Sequence, residues 1–182
     1  MRIISGTMRG RRLKTVEGLL TRPTSDKVRG AIFNVLRDKV MDARVLDLFA
    51  GTGSLAIEAL SRGAKEAVLV EESSAALKVI GENLALAGVM DRTKLIPQEA
   101  FRYLAFNQEI FDLVFIDPPY RQGLVARVLT KLANPCRLSP TGVIVAETNK
   151  DEEFMDELYP FEVCKTCKYG DTKIWYLQRI DL

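Results

Sequence analysis

A chain of 182 residues with 47% hydrophobic and 27% charged side chains can bury a substantial core, and we expect one domain over residues 1–182. Because the chain has no histidine, it cannot use a serine–histidine triad or a histidine base, and no catalytic metal is expected. No apolar run approaches the roughly 18 residues of a membrane span and the N-terminus has no signal-peptide pattern, so we expect a cytoplasmic protein.

The formal net charge of +2 conceals a basic N-terminus. Residues 1–30 carry eight basic and two acidic side chains, which makes them +6 and leaves −4 for the remainder. Such a cluster raises the local concentration of a polyanion and releases counterions from its phosphates on binding. A solvated basic face is the alternative explanation.

The first 40 residues are predicted to form an arm followed by a helix. Residues 1–22 have turn points at Gly6 and Gly10, which indicate a basic hairpin or extended arm. Residues 23–40 are predicted to be helical, with Thr24 or Ser25 as the cap and apolar side chains at helical spacing. Arg29 falls outside the apolar stripe, so we expect it to face solvent or ligand.

The remaining chain, the predicted catalytic core 41–182, alternates short apolar strands with amphipathic helices. This alternation predicts an α/β fold with a mostly parallel sheet, helices on both faces and a C-terminal antiparallel hairpin. The isolated Cys-x-x-Cys pair in the hairpin is interpreted as reduced thiols, since one pair without histidine falls short of a zinc site. The predicted strands are 44–49, 66–71, 93–96, 111–117, 142–147, 161–168 and 173–179, and the predicted helices are 54–62, 73–87, 98–106, 122–133 and 150–158.

A glycine-rich turn follows the first predicted strand. Gly51 and Gly53 allow close backbone approach, and the next helix offers free N–H groups. The pattern also fits a dinucleotide fingerprint, with Glu71 as the ribose-binding acid. However, Asp47 would repel a pyrophosphate and attract an amino group and a sulfonium, which favours S-adenosyl-L-methionine. Its adenine would lie near Glu99, although Glu99 equally suits the first turn of a helix.

The second chemical motif is Asp117-Pro118-Pro119-Tyr120, at the end of the fourth predicted strand. Two prolines supply no backbone donors, so the carbonyl oxygens form a rigid row of acceptors. Asp117 and the Pro118 carbonyl could accept hydrogen bonds from both N–H groups of an exocyclic amine. These bonds would favour the orientation in which the lone pair of the amine nitrogen points at a methyl donor. Tyr120 could stack on the base.

These two motifs resemble those of class I S-adenosylmethionine-dependent methyltransferases that act on amino groups. The N-terminal sequence resembles that of RsmD-type enzymes, which methylate guanine N2 in small-subunit ribosomal RNA. The segments that carry this resemblance are residues 2–6, 9–13, 22–29 and 31–34. The resemblance implies a Rossmann-like fold, a seven-stranded sheet, a monomer, and ribosomal RNA or the small ribosomal subunit as partner. Glu99 departs from the family, which usually has an aspartate there.

The resemblance also implies roles for particular residues. The implied catalytic residues are Asp117, Pro118, Pro119 and Tyr120. The cofactor-binding residues would be Asp47, Phe49, Ala50, Gly51, Thr52, Gly53, Glu71, Glu99, Ala100 and Thr24, and the RNA-binding residues would be Arg9, Arg11, Arg12, Lys14, Arg22 and Arg29.

Three other functions remain open on the sequence. An adenine-N6 DNA methyltransferase would use the same acceptor row, although the chain leaves no room for a separate DNA-reading domain. A non-catalytic RNA-binding or assembly factor could retain this scaffold. A dehydrogenase would require a dinucleotide beside Asp47.

Overall fold

The computed structural model describes residues 1–16, 25–119, 123–153 and 158–180. The strands are β1 Arg44–Leu48, β2 Glu66–Glu71, β3 Thr93–Pro97, β4 Phe111–Ile116, β5 Leu138–Asn149, β6 Phe161–Tyr169 and β7 Thr172–Arg179. The α-helices are α1 Asp26–Leu36, α2 Ser54–Ser61, α3 Ser74–Ala87, α4 Ala100–Phe106 and α5 Leu124–Ala133, and two 3-10 turns cover Arg37–Val40 and Met90–Arg92.

The seven strands form one sheet in the order β3-β2-β1-β4-β5-β7-β6. The first five are parallel, whereas β7 pairs antiparallel with both β5 and β6. The predicted mostly parallel sheet with a C-terminal hairpin is therefore confirmed. Because the order reverses between β1 and β4, the carboxyl ends of these two strands form the switch point where open α/β sheets bind ligands.

The sheet separates two apolar clusters, as the continuous apolar strands predict. Alternate residues such as Val45, Phe115 and Val145 pack on the side of α1, α2 and α3. Their neighbours, such as Val114 and Ile144, pack on the side of α4 and α5.

The predicted helix 150–158 is wrong for the residues that the structure describes. Lys150–Glu153 and Leu158 are not helical, and 154–157 lie outside the described residues. The reason is that β5 continues to Asn149, which pairs with Thr172 of β7. The Lys150 backbone N–H then donates to the Asp171 carbonyl at 2.8 Å, and its ammonium contacts the Asp171 carboxylate at 2.8 Å. These bonds hold the chain at the turn of the hairpin.

Residues 1–16, here called the N-terminal arm, form a hairpin that packs on α2 and α3. Its two limbs pair antiparallel at Arg2 and Arg12, where the Ile3 N–H donates to the Arg11 carbonyl and the Leu13 N–H to the Met1 carbonyl, both at 3.0 Å. Ile3, Met8 and Leu13 are buried in the core. The arm is therefore part of the folded body and presents its remaining side chains to solvent.

Two polar side chains of α2 hold the arm. The Glu58 carboxylate, 0% exposed as a residue, accepts the Ile4 and Ser5 N–H groups at 2.7 and 3.0 Å. The Ser61 hydroxyl donates to the Ser5 carbonyl at 2.6 Å and accepts the Met8 N–H at 3.0 Å. Burial of a carboxylate is tolerated here because arm donors compensate it.

The prediction that Arg29 faces solvent or ligand is wrong. Ser25 caps α1 as one of the two predicted candidates, but Arg29 is 0% exposed, because the arm covers the flank of α1 that lay outside the apolar stripe. Its guanidinium bonds Asp26 at 3.0 Å, lies 3.8 Å from Glu58 and donates to the Arg2 carbonyl. Burial lowers the pKa of Arg29, and the Asp26 and Glu58 carboxylates oppose that shift. Arg29 therefore fastens the arm to α1.

We expect Gly6→Ala to loosen the arm. Gly6 has φ +85, and a Cβ there would lie 1.8 Å from the Ser61 carbonyl oxygen, so the arm would have to move. Thr7, whose N–H donates to that oxygen at 2.8 Å, should then lose protection in amide hydrogen exchange.

Gly10→Ala is the matched control. Gly10 has φ +86, so it incurs the same backbone strain, of about 1 kcal/mol, but its Cβ would meet no described atom within 4 Å. If the Thr7 amide hydrogen exchanges at the same rate in Gly6→Ala and Gly10→Ala, the contact with Ser61 does not hold the arm.

Candidate active site

The candidate site is built where three parallel strands end side by side. Leu48 of β1 pairs with Val70 of β2 and with Ile116 of β4. Neighbouring strands lie about 4.8 Å apart. The sheet therefore brings the loop after β1, the acid that ends β2 and the proline motif after β4 to one edge.

The loop of residues 49–53, here called the cofactor loop, has an unusual backbone. Phe49, Gly51 and Gly53 have φ of 63, 58 and 74. Positive φ at a residue with a side chain costs about 1–3 kcal/mol, and such strain concentrates at ligand sites. Gly53 also needs its missing side chain, since a Cβ would lie 3.1 Å from Leu69 Cδ2. The loop turns directly into α2, whose first N–H groups have no intrahelical partners.

Asp47 lies under the cofactor loop and is 1% exposed. One carboxyl oxygen accepts the Ala56 N–H of α2 at 3.2 Å. The pKa of Asp47 is raised to about 8, chiefly by burial and also by the nearby Glu71 carboxylate, while the Ala56 hydrogen bond opposes the shift. A buried acid of this kind gains from a cationic group placed beside it.

Glu71 is half-buried at the end of β2 and is already oriented by backbone donors. One of its oxygens accepts the Gly51 N–H at 2.9 Å, and the other accepts the Glu72 and Ser73 N–H groups at 3.0 and 2.8 Å. The carboxylate thus ties the cofactor loop to the start of α3. Its oxygens can accept further bonds, so a role toward ribose hydroxyls stays a prediction.

Glu99 is the N-cap of α4. Its two carboxylate oxygens accept the Phe101 and Arg102 N–H groups at 2.9 and 2.8 Å, and Ala100 is buried as the first residue of the helix. The structure thus shows the helix-start role that the sequence left open. A contact of Glu99 or Ala100 with the adenine stays a prediction.

The acceptor motif begins directly after β4. Asp117 is half-buried, Pro118 is buried and Pro119 is exposed. Tyr120, like Thr24 and Arg22 among the other predicted site residues, lies outside the described residues. Asp47 and the motif are therefore brought together as expected, whereas the stacking role of Tyr120 stays a prediction.

The sequence analysis missed a further acid at this edge. Ala146 of β5 pairs with Ile116 of β4, so Glu147 follows beside Asp117, and Glu147 is only 7% exposed. A polar residue at the end of the apolar run 143–146 was the available signal.

The basic residues of the arm divide into two groups. Arg11 donates to the Ala87 and Leu86 carbonyls at 2.7 and 3.4 Å and so caps α3, while Lys14 forms an exposed ion pair with Glu82 at 2.9 Å. Arg9 and Arg12 are exposed. An open depression of about 470 Å³ is lined by Met1, Arg2, Gly10, Arg12 and Asp26.

This depression borders the cofactor loop, since the Met1 sulfur lies 3.9 Å from the Thr52 hydroxyl. The Arg2 guanidinium is 3.7 Å from Asp26, so one of its two arginines is already near a carboxylate. Arg12 is the second arginine of this lining and is exposed.

Three findings concern metals, thiols and membranes. Within the described ranges, no group of three or more cysteine, aspartate or glutamate side chains could hold a metal ion. Cys136, Cys164 and Cys167 form no disulfide, and Cys164 and Cys167 lie on β6. Among the helices that the structure describes, none is long and apolar enough to cross a bilayer.

The strand order, the loop after β1 and the acceptor motif after β4 together define a Rossmann-like class I methyltransferase. Comparison with known proteins agrees. A family model described as Conserved hypothetical protein 95 matches residues 1–178. Ribosomal RNA small subunit methyltransferase D of Escherichia coli K12 is 36% identical over 148 residues, which cover 81% of this chain and 74% of that protein.

Two further relatives match over nearly the whole chain. YlbH of Bacillus subtilis is 36% identical over 177 residues, 96% of each chain. A solved structure of yhhF from Escherichia coli has a TM-score of 0.89 at 33% identity and covers 98% of this chain and 97% of that one. The chain therefore belongs to the RsmD-type methyltransferase family, as the sequence motifs indicated, and the cofactor of this class is S-adenosyl-L-methionine.

We expect Asp47 to make the stability of the cofactor-free protein depend on pH. Because its pKa is about 8 in the folded protein and about 3.9 when unfolded, the folded state holds a proton that the unfolded state releases between these values. The free energy of unfolding should therefore fall as pH rises through this window, by up to about 1.4 kcal/mol per pH unit. Denaturant titrations from pH 4 to 9 measure it.

Asp47→Asn keeps an oxygen for the Ala56 N–H but cannot ionise, so this contribution should vanish. Asp91→Asn changes an exposed aspartate and should follow the wild-type curve. If the free energy of unfolding of wild type and of Asp47→Asn changes with pH in the same way, Asp47 is not the group responsible for the pH dependence.

Proposed function

We propose that the protein methylates the exocyclic N2 amine of a guanine in small-subunit ribosomal RNA, with S-adenosyl-L-methionine as the methyl donor. The observation that carries this proposal is the register of β1 with β4, in which Leu48 pairs with Ile116. It sets the cofactor loop and the acceptor motif one strand apart. Support for ribosomal RNA comes from relatives that are named ribosomal RNA small subunit methyltransferases and from the basic arm.

The residues after β1 and β2 fit this cofactor. The buried Asp47 carboxyl, held mostly protonated at neutral pH, would ionise against the cofactor's amino group. The cofactor loop offers backbone at close approach, and Glu71 is already oriented to accept bonds from hydroxyl groups. A dinucleotide is disfavoured because its pyrophosphate would meet the Glu71 carboxylate and, unlike a cationic group, would not favour ionisation of Asp47.

The residues after β4 would bind and orient the acceptor amine. Asp117 and the Pro118 carbonyl accept its two N–H bonds, which turns the nitrogen lone pair toward the methyl group and stabilises charge that develops on nitrogen. The cofactor supplies an electrophilic methyl group, so the N–C bond forms as the C–S bond breaks, and the nitrogen then loses a proton. The Asp117 carboxylate would keep its hydrogen bond with the N–H that loses this proton until solvent removes the proton.

A guanine inside a helical stack cannot reach Asp117, so it must be unpaired or extruded. The exposed Arg9 and Arg12 of the arm would bind phosphates around it. Because Arg29 is buried and Arg11 caps α3, this proposed phosphate footprint is smaller than the full set of basic residues in the N-terminal sequence.

The test is methylation in vitro. The protein is incubated with labelled S-adenosyl-L-methionine and, separately, with undermethylated small subunits, free 16S ribosomal RNA and duplex DNA, and the labelled nucleosides are identified by mass spectrometry. We expect N2-methylguanosine from one or both RNA substrates. Label in N6-methyladenine of DNA, or in no nucleoside at all, would overturn the proposal.

We expect Asp117→Ala to lower kcat for methyl transfer by at least about 100-fold, because removal of one group that stabilises a developing charge has this effect in other enzymes. Its bonds form to the acceptor amine, so cofactor affinity measured by calorimetry should change little.

Asp117→Asn keeps one acceptor oxygen without the charge and should lie between Ala and wild type. A large loss of cofactor affinity in both variants would place Asp117 in the cofactor subsite instead.

We expect Arg12→Glu to weaken RNA binding and to lower the slope of log affinity against log salt by about 0.7 for each phosphate that the arm no longer neutralises. Arg9→Glu tests a second exposed cation of the arm. Filter binding at several salt concentrations measures both slopes.

Lys131→Glu is the control, since Lys131 is exposed on α5 across the sheet from the arm. If Lys131→Glu changes the salt slope as much as Arg12→Glu does, the arm has no special role in RNA binding.

A further inference from the structure

A buried asparagine of α3 bonds the arm and the cofactor loop at once. Asn83 is 0% exposed. Its amide oxygen accepts the Lys14 N–H of the arm at 2.7 Å. Its amide nitrogen donates to the Lys14 carbonyl at 3.1 Å and to the Thr52 carbonyl of the cofactor loop at 2.9 Å. Both amide hydrogens and one oxygen lone pair are thereby used.

The sequence offered little sign of this residue. Asn83 lies among the apolar residues of α3, and an asparagine within a helix is usually exposed or bonded to nearby backbone. Here its partners are 69 and 31 residues away in the chain.

The two sets of bonds make the positions of the arm and of the loop interdependent. If the arm moves from α3, Asn83 loses two of its three bonds inside the protein, and a buried polar group without partners costs about 1–3 kcal/mol. The amide must then turn or draw in water, and its bond to Thr52 changes. Thr52 lies between Gly51 and Gly53, the two glycines whose positive φ sets the shape of the loop.

The other contacts of the arm do not link it as strongly to the cofactor loop. Arg11 caps the end of α3 and Lys14 pairs with Glu82, and both hold the arm to the helix without touching the loop. The Met1 sulfur reaches the Thr52 hydroxyl at 3.9 Å, which is a weak link. Asn83 is thus the stronger bridge in the described part of the chain.

We propose that Asn83 is a positioning residue that couples RNA binding on the arm to S-adenosyl-L-methionine binding in the cofactor loop. RNA phosphates hold the arm against α3, Asn83 keeps the Thr52 carbonyl in place, and the loop then binds the cofactor more tightly. Because such coupling is reciprocal, the cofactor raises RNA affinity by the same factor. The inference rests on the proposed RNA substrate.

The test measures cofactor affinity with and without RNA. Calorimetry gives the Kd of S-adenosyl-L-homocysteine, the cofactor without its methyl group, for the protein alone and for the protein saturated with undermethylated 16S ribosomal RNA, so that no methyl transfer disturbs the titration. We expect RNA to tighten cofactor binding by about fivefold or more in the wild type. In Asn83→Ala this factor should fall to nearly one.

Asn83→Asp is the second variant, in case the alanine variant does not fold. Its carboxylate can still accept the Lys14 N–H but cannot donate to Thr52, so the coupling should again be lost. Glu82→Gln is the matched control, because it weakens an arm contact one residue away without touching the cofactor loop. It should retain the wild-type factor.

Each outcome decides the inference. If RNA leaves the cofactor Kd of the wild type unchanged, or if Asn83→Asp retains the factor, the inference is wrong. If Asn83 had a purely structural role, its substitution would weaken cofactor binding equally with and without RNA. The ratio of these two Kd values would then equal that of the wild type. If the coupling is absent but the wild type still forms N2-methylguanosine, the inference is wrong and the proposed function stands. If RNA tightens cofactor binding through Asn83 but no N2-methylguanosine forms, only the proposed function is wrong.

Discussion

The candidate site depends on the hydrogen-bonded register of β1 with its two parallel neighbours. Leu48 is opposite Val70 on one side and Ile116 on the other, so the three strands end level with one another. A slip of one residue would turn Asp47 away from α2 and point it into the opposite core. Because β1 is buried on both faces, apolar packing on each side fixes the register. The chemistry of the loops is therefore secondary to the sheet that aligns them.

Buried charge explains why the basic arm is packed rather than extended. A carboxylate as buried as that of Glu58 would be costly without partners, and the arm compensates it with two backbone N–H groups. Arg62 adds a 2.7 Å ion pair, and the buried Arg29 lies on the other side of the carboxylate. Removal of the arm would leave these charges without enough partners. The polar residues of α2 thus specify where the arm lies, while its three buried apolar side chains stabilise it there.

The sheet was predictable because its central strands β1, β2 and β4 are short apolar runs, and because most predicted cofactor residues lie at or just after the carboxyl end of a strand. The strand Glu66–Glu71 and the start of α2 at Ser54 were obtained without any tertiary information. Arg29 was misjudged because helical spacing shows which face of α1 is apolar, but it does not show what covers the other faces. Glu99 could be assigned only from its contacts, since a helix cap and an adenine ligand have the same sequence pattern. Asn83 was missed because its partners are distant in the chain.

The packed arm joins exposed cations directly to the folded body. A nucleic-acid methyltransferase must hold an extruded base to within a fraction of an ångström of the reacting methyl group, and enzymes commonly use a separate recognition domain to do so. In this chain the arm bears exposed cations on one side and is bonded through Glu58, Ser61 and Asn83 on the other. Contact with RNA would therefore be transmitted to α2, α3 and the cofactor loop without a hinge between them. The rigidity of the arm comes from hydrogen bonds between its backbone and the buried side chains of Glu58, Ser61 and Asn83.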